Sequence, residues 1–233
     1  MIKGVIFDLD NTLVDFNRIK IAAVQSGISG MIEAGMDIDP QDSYNRIMRI
    51  YEDMGWEYQL VFDQFISETA GYLDYKFLAA GILGYRRARE ATLTPYAHVN
   101  TTLVSLIKMG IKLAVVSDAP AKEAWLRLCQ LTFHHLFDTV ITFDDSRERK
   151  PHPKPFLMAL QKLDLAAEET LMIGDWPERD MAGAKNLNIT TVFARYGDFL
   201  NTQHSGADHE ISDFHQILKI ITELNSREEG SAL

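Results

Sequence analysis

The chain has 233 residues, 46% of them hydrophobic and 24% charged, the balance of an ordinary soluble globular protein with room for one large or two modest domains. A formal net charge of −10 speaks against nucleic acid as a partner, because nucleic-acid backbones are bound by clustered Lys and Arg. The single cysteine, Cys129, excludes an intramolecular disulfide. No apolar run approaches membrane-spanning length and the start does not read as a signal peptide, so the expected setting is the cytoplasm, away from membranes.

The first predicted element is a strand, Val5–Leu9, inside the stretch GVIFDLDNTLVD. It is apolar until it stops on Asp8 and Asp10. Side chains alternate along an extended segment, so these two acids are expected to share a face. Like charges held together repel unless a cation or a shared proton compensates. Read alone, Asp-x-Asp is also compatible with a capped strand end.

From Phe16 to about Pro95 the period becomes helical. Candidate helices cover Arg18–Met36, a segment from Pro40 carrying Ile47, Ile50, Tyr51 and Met54, a segment with Phe62, Phe65, Ile66 and Thr69, and Tyr75–Thr92. Asp39 is the expected N-cap of the second, with Pro40 at its first position and Asp42 in its first turn. After Pro95, apolar runs suited to buried parallel strands recur at Leu113–Val116, Thr139–Phe143, Leu171–Ile173 and Thr191–Phe193. Helical patterns lie between them: one around Thr101, Val104, Ile107 and Lys108, one starting near Ala119-Pro120, and one over Pro155–Leu163. Cys129 falls in an amphipathic stretch with Ala124, Leu128 and Leu131 and is expected to be a buried thiol.

Alternating strands and helices predict an α/β fold, a doubly wound (Rossmann-like) parallel sheet. The core is expected over residues 1–15 and 95–225, an all-helical domain over 16–94, and a flexible polar tail over 226–233. In such sheets ligands bind outside the carboxyl ends of the strands. The first strand ends in Asp8-Leu9-Asp10-Asn11-Thr12 and the second in Ser117-Asp118. The third is followed by Lys150, and the fourth ends in Gly174-Asp175 with Asp180 beyond. Carboxylates, a hydroxyl and an ammonium group are thereby expected along one edge.

The set DxDNT, a strand ending in Ser, Lys-Pro-x-Pro and GDxxxxD, in this order over nearly the whole chain, resembles the haloacid dehalogenase superfamily. The helical insertion stands where its members carry an α-helical cap. The layout is also similar to cap-bearing archaeal members acting on small sugar or triose phosphates. The resemblance implies a magnesium-dependent phosphatase of a small phosphorylated metabolite, with Asp8 as nucleophile forming an aspartyl-phosphate and Asp10 as acid and base. It implies Mg²⁺ held by the carboxylates of Asp8 and Asp175 and the backbone carbonyl of Asp10. It places Lys150 and Ser117 on the phosphoryl group, together with Asn11, Thr12 and Asp118, whose loop amides complete a cradle. Asp180 is expected to orient Lys150 or a metal-bound water. A cap that closes over a small substrate and a monomeric or homodimeric protein are the accompanying expectations.

Other residues are expected to have no part in the chemistry: Lys154, His134, His135 and His152 as surface or packing groups, and Asp15 as a turn carboxylate. Trp176 stands where many relatives have a small polar residue, and Pro120 removes one amide donor beside the expected cradle. A phosphomutase shares the nucleophile and the metal. Phosphonate hydrolysis calls for a cap lysine, for which only Lys20 and Lys76 offer themselves. Halide displacement has no use for Asp10 or Asp175, and a phosphoaspartate receiver domain has no place for the helical insertion.

Overall fold

The computed structural model describes residues 1–231, with side chains through Ser226. The elements run β1 (Gly4–Phe7), α1 (Phe16–Glu33), α2 (Pro40–Met54), α3 (Val61–Ala70), α4 (Tyr75–Thr92), α5 (Val99–Lys108), β2 (Lys112–Val116) and α6 (Ala121–Gln130). They continue with β3 (Thr139–Ile141), α7 (Phe143–Ser146), α8 (Pro153–Leu163), β4 (Thr170–Gly174), α9 (Ala182–Lys185), β5 (Thr190–Ala194), β6 (His209–Ile211) and α10 (Ile217–Ser231). Among the described residues no helix is long and apolar enough to cross a membrane.

The six strands form one parallel sheet in the order β3-β2-β1-β4-β5-β6. β1 lies between β2 and β4, with Ile6 paired to Ala114 on one side and Met172 on the other. The chain therefore winds outward from β1 in both directions, and the carboxyl end of β1 is the switch point of the sheet. Alternation along the strands loads both faces. Ile6, Ala114, Met172 and Phe193 pack with Phe156, Ala159, Leu160 and Leu163 of α8 and Ala184 of α9. Phe7, pointing the other way, meets the rings of Phe214 at 5.6 Å and Phe137 at 6.2 Å. Each fully buried side chain of this size contributes about 1.5–3 kcal/mol, which is why unbroken apolar runs are legible as central strands.

The chain divides into two compact units, Met1–Asp15 with Thr94–Leu233, and Phe16–Leu93. Within the first, Val14 forms an antiparallel bridge to Pro95 and the Tyr96 amide donates to the Leu13 carbonyl at 3.1 Å. The points of departure and return are thus tied to each other. The second unit is entirely helical around Val24, Ile28, Met31, Ile47, Tyr51, Phe62, Phe65 and Ile66. Its helix starts follow side-chain capping: Asp39 accepts from the Asp42 amide at 2.8 Å and Asp74 from the Lys76 amide at 2.8 Å. Lys20 is buried inside it, its Nζ 3.6 Å from the Tyr51 ring centre and donating to the Trp56 carbonyl at 2.6 Å.

Four expectations are corrected. β1 stops at Phe7, because Leu9 already accepts from the amides of Leu13 and Val14 in a turn. Thr142 and Phe143 leave the third strand for α7, where the Asp145 carboxylate accepts from both the amide and the hydroxyl of Thr142. β6 was not foreseen, since His209-Glu210-Ile211 offers only one fully buried side chain. Cys129 is exposed: the inward stripe of α6 runs through Ala124, Arg127 and Leu128, and the next position turns outward. α10 carries helical backbone to Ser231. Asn225 is tied to Ile2 through both its amide oxygen and nitrogen. Residues 232–233 lie outside the described residues.

Candidate active site

Strand ends assemble the site. Asp8 follows β1, Ser117 follows β2 and Asp175 follows β4, while Lys150 comes from the segment between α7 and α8. Asp8 extends the ladder by one bond, its amide donating to the Ile173 carbonyl at 2.9 Å, so its carboxylate is held at the mouth of the sheet's centre. Asp8, Asp175 and Asp180 are all buried, and one oxygen from each lies within 4.8 Å of the others.

Lys150 is the cation among them. Its Nζ donates to Asp8 Oδ1, to the Val116 carbonyl at 3.1 Å, and stands 2.6 Å from Asp180 Oδ1. Its own amide donates to Asp118 Oδ1 at 2.9 Å. Burial disfavours the ammonium, but Asp180, Asp8 and Asp118 outweigh it and hold Lys150 above its ordinary value. One ammonium does not neutralise three buried carboxylates. Burial, first, pushes Asp8 up to about 8, with Lys150 opposing and Asp180 and Asp10 adding. Asp175 is raised by burial and then by Asp8 and Asp180, and Asp180 chiefly by burial.

Asp180 sits in a wide turn of π type, Pro177–Met181, a feature frequent at functional sites. Its Oδ2 accepts from the Trp176 amide at 3.1 Å. The close approach depends on Gly174, where a Cβ would lie 2.3 Å from Asp180 Cγ and Oδ2. Gly174→Ala should displace Asp180 from Lys150. We expect a loss of about 1–3 kcal/mol in stability, the usual cost of overpacking, with a larger proportional fall in kcat. Denaturant midpoints and steady-state rates read both, and an Ala variant with unchanged kcat would remove Asp180 from the working site.

Other expected site residues are placed differently from one another. Thr12 is buried and its hydroxyl donates to Asp175 Oδ1 at 3.1 Å, so it supports that carboxylate. The Asn11 amide is used by the Val14 carbonyl at 2.7 Å. The Ala119 amide goes to Ser117 Oγ at 3.1 Å and the Ala121 amide to Asp144 at 2.7 Å. The cradle expected from amides near Asn11 and Asp118 is therefore not formed by these three N–H groups, which already have acceptors. Ser117 accepts from Ala119 with its oxygen and keeps its O–H for donation. The Asp118 carboxylate braces Lys150 from behind and receives Arg179 Nη1 at 3.4 Å. Asp10 stands apart from the carboxylate cluster, with Oδ2 3.1 Å from Arg127 Nη1, although it is near enough to raise Asp8.

Several neighbours escaped the sequence reading. Tyr196, half-buried after β5, donates its hydroxyl to the Thr12 carbonyl at 2.8 Å. A Cβ on the adjacent Gly197 would fall 1.7 Å from the Asn11 carbonyl oxygen, so only glycine lets these two turns meet. The signal available was the polar cluster RYGD at the end of the fifth run. Arg127 was visible as a second charge, after Glu123, on the inward face of α6. Trp176 is enclosed by the Arg179 guanidinium at 3.8 Å from its ring centre and by Phe199 at 5.6 Å. His152 caps α8, its Nδ1 accepting from the Lys154 amide at 3.2 Å. Lys20 is engaged inside the helical unit, and Lys76 lies in the first turn of α4 over Phe77.

Comparison with known proteins decides the family. Residues 5–194 match the model of the haloacid dehalogenase-like hydrolases. The chain belongs to that family. It is 34% identical over 96% of its length to a glyceraldehyde 3-phosphate phosphatase of Methanocaldococcus jannaschii, covering 99% of that protein. To the protein of the same name from Pyrococcus furiosus it is 30% identical, over 99% of this chain and 95% of the other. Among solved structures, a phosphatase of this family from Thermococcus onnurineus superposes with a TM-score of 0.67 at 26% identity, covering 94% of this chain and 98% of that one. This haloacid dehalogenase-like hydrolase is a phosphatase.

Proposed function

We propose that the chain is a magnesium-dependent phosphatase of a small phosphorylated metabolite, of the triose or sugar phosphate class, working through an aspartyl-phosphate on Asp8. The observation that carries the reading is the Lys150 ammonium between Asp8 and Asp180, with Asp175 in the same buried cluster. The names of the archaeal relatives support the substrate class.

An all-oxygen donor set suits a hard divalent cation, and three buried carboxylates against one ammonium leave negative charge for it to balance. Asp8 and Asp175, with the Asp10 backbone carbonyl, would hold Mg²⁺. When bound, it supplies the charge neutralisation that lets a phosphate dianion approach a carboxylate. The remaining work belongs to the chain. An Asp8 oxygen forms a bond to phosphorus as the bond to the ester oxygen breaks, and Asp10 delivers a proton to that leaving oxygen. Lys150 and the Ser117 hydroxyl hold phosphoryl oxygens, where donors aimed at developing charge contribute most. Asp10 then takes a proton from the water that cleaves the acyl phosphate, and Asp8 is restored. Asp180 keeps Lys150 in place and Thr12 keeps Asp175 in place.

Two measurements test this. Purified protein with magnesium, screened against phosphorylated metabolites for release of inorganic phosphate, should favour triose or sugar phosphates over p-nitrophenyl phosphate. Isomerised sugar phosphate without phosphate release would indicate a mutase. Titrating magnesium into chelator-treated protein should raise its thermal midpoint, and increasingly so from about pH 5 to about pH 8. The sign follows from Asp8. Its native value near 8 lies above the ordinary 3.8, so the cation-free native state binds more protons than the unfolded chain and loses stability as pH rises through this window. Below it, magnesium must displace a proton. A magnesium shift independent of pH would contradict the assignment of Asp8 as a ligand.

A further inference from the structure

Resting on the proton-exchange role given to Asp10 above, we propose that Arg127 is a positioning residue that holds the Asp10 carboxyl in the orientation from which it meets the leaving oxygen. Arg127 Nη1 and Asp10 Oδ2 are 3.1 Å apart, and their side chains are only 10% and 22% exposed. The two residues lie 117 positions apart in the chain. Arg127 occupies an inward position of α6, on the face that also buries Glu123, Ala124 and Leu128.

Burying a guanidinium on such a face is costly. Replacing a buried ion pair by well-packed apolar groups is often neutral or stabilising, so the pair is poor evidence of a device for stability. Its value lies in geometry. β1 has ended at Phe7, and an isolated bridge to Val14 holds the Asp10 backbone but not the orientation of its carboxyl. A short side chain there turns about two bonds, and misplacing a catalytic group by about 1 Å can cost on the order of 10²-fold in rate. A guanidinium presents planar, rigid donors. With Oδ2 held by Arg127, rotation of the Asp10 carboxyl is restricted to orientations that keep this contact.

The test separates leaving groups. p-Nitrophenolate departs without a proton, whereas the alkoxide of β-glycerol phosphate requires one. Rapid-mixing measurements of the first, phosphoryl-accepting half-reaction are made with wild type, Arg127→Met, Arg127→Lys, Asp10→Asn and the Asp10→Asn/Arg127→Met double variant, with the thermal midpoint of each. Arg127→Met should slow reaction with β-glycerol phosphate by about tenfold or more, a fraction of the ~10²–10⁴ that acid catalysis provides. With p-nitrophenyl phosphate it should change the burst by less than about threefold. Arg127→Lys should recover part of the loss. In the Asp10→Asn background Arg127→Met should add nothing, since both act through one group.

Equal losses on both esters, or losses that add in the double variant, would overturn the inference and leave Arg127 a structural residue. If Asp10→Asn discriminates between the esters and neither Arg127 variant does, the positioning role alone falls. If Asp10→Asn fails to discriminate, the proton-exchange role falls and takes the positioning role with it.

Discussion

Asp8→Asn protein should show no turnover of any phosphate ester above background, a loss on the order of 10⁶-fold as for removal of another covalent nucleophile, while Asp10→Asn should fail in a different way. The amide at position 8 does not attack phosphorus, so neither half-reaction begins. The amide at position 10 neither gives nor takes a proton. With p-nitrophenyl phosphate the first half-reaction needs no proton and Asp8 is still phosphorylated. The second needs a base for water and slows by ~10²–10⁴-fold. Asp10→Asn should therefore give a burst of about one equivalent of p-nitrophenolate before a slow steady rate, the signature of an accumulating covalent intermediate. Acid quenching and mass analysis should place the phosphate on the peptide containing Asp8. An unphosphorylated peptide, together with residual turnover by Asp8→Asn, would point to direct attack by water.

Lys150→Met should be the most damaging single change to the folded state. It leaves Asp8, Asp175 and Asp180 buried together with their nearest cation gone. Removing one partner of a buried pair typically costs about 3–5 kcal/mol, and methionine fills much of the space, so little of the loss comes from a cavity. The defect should be pH-dependent. Protonated carboxyls do not need the ammonium, so the gap between variant and wild type should be small near pH 5 and widen toward pH 8. Magnesium should close part of it. Activity should fall by at least the ~10²–10³-fold expected on loss of one donor to a developing oxyanion. Urea unfolding at two pH values, with and without magnesium, reads all of this. A variant as stable as wild type at the higher pH would show that the three acids share protons instead of relying on Lys150.

The strands were legible because five of them are continuous apolar runs in a sheet buried on both faces, and β6, half exposed, was not. Asp39 announced α2 by a local capping bond that needs no tertiary information, and Asp74 sits just before α4 in the same way. Asp8, Ser117, Lys150 and Asp175 could be picked out because strand ends in a parallel sheet converge on one edge, so their proximity follows from topology. Who partners whom does not follow. Asp8 and Asp10 share a face only if the strand continues through Leu9, and the Leu9–Leu13 turn ends it. The Thr12 hydroxyl, expected at the phosphoryl group, donates to Asp175, a pairing set by how two strand ends meet. Tyr196 and Gly197 enter through a contact between two turns nearly two hundred positions apart, which no local pattern encodes. Arg127 left a trace, a charge beside Glu123 on the inward face of α6, but its contact with Asp10 is set by how α6 settles on the sheet.

The bridge between Val14 and Pro95 has a consequence for descent. Because the ends of the inserted segment are clasped by the core itself, the core experiences the insertion only as a loop to be closed, and each doubling of a loop's length adds about 0.6 kcal/mol to that cost. Helices between Phe16 and Leu93 can lengthen, shorten or be exchanged for others with little effect on strand register or on the carboxylates beyond it. The clasp makes the segment interchangeable, so selection can rewrite a third of the molecule while the chemistry on the other side of the clasp stays as it was.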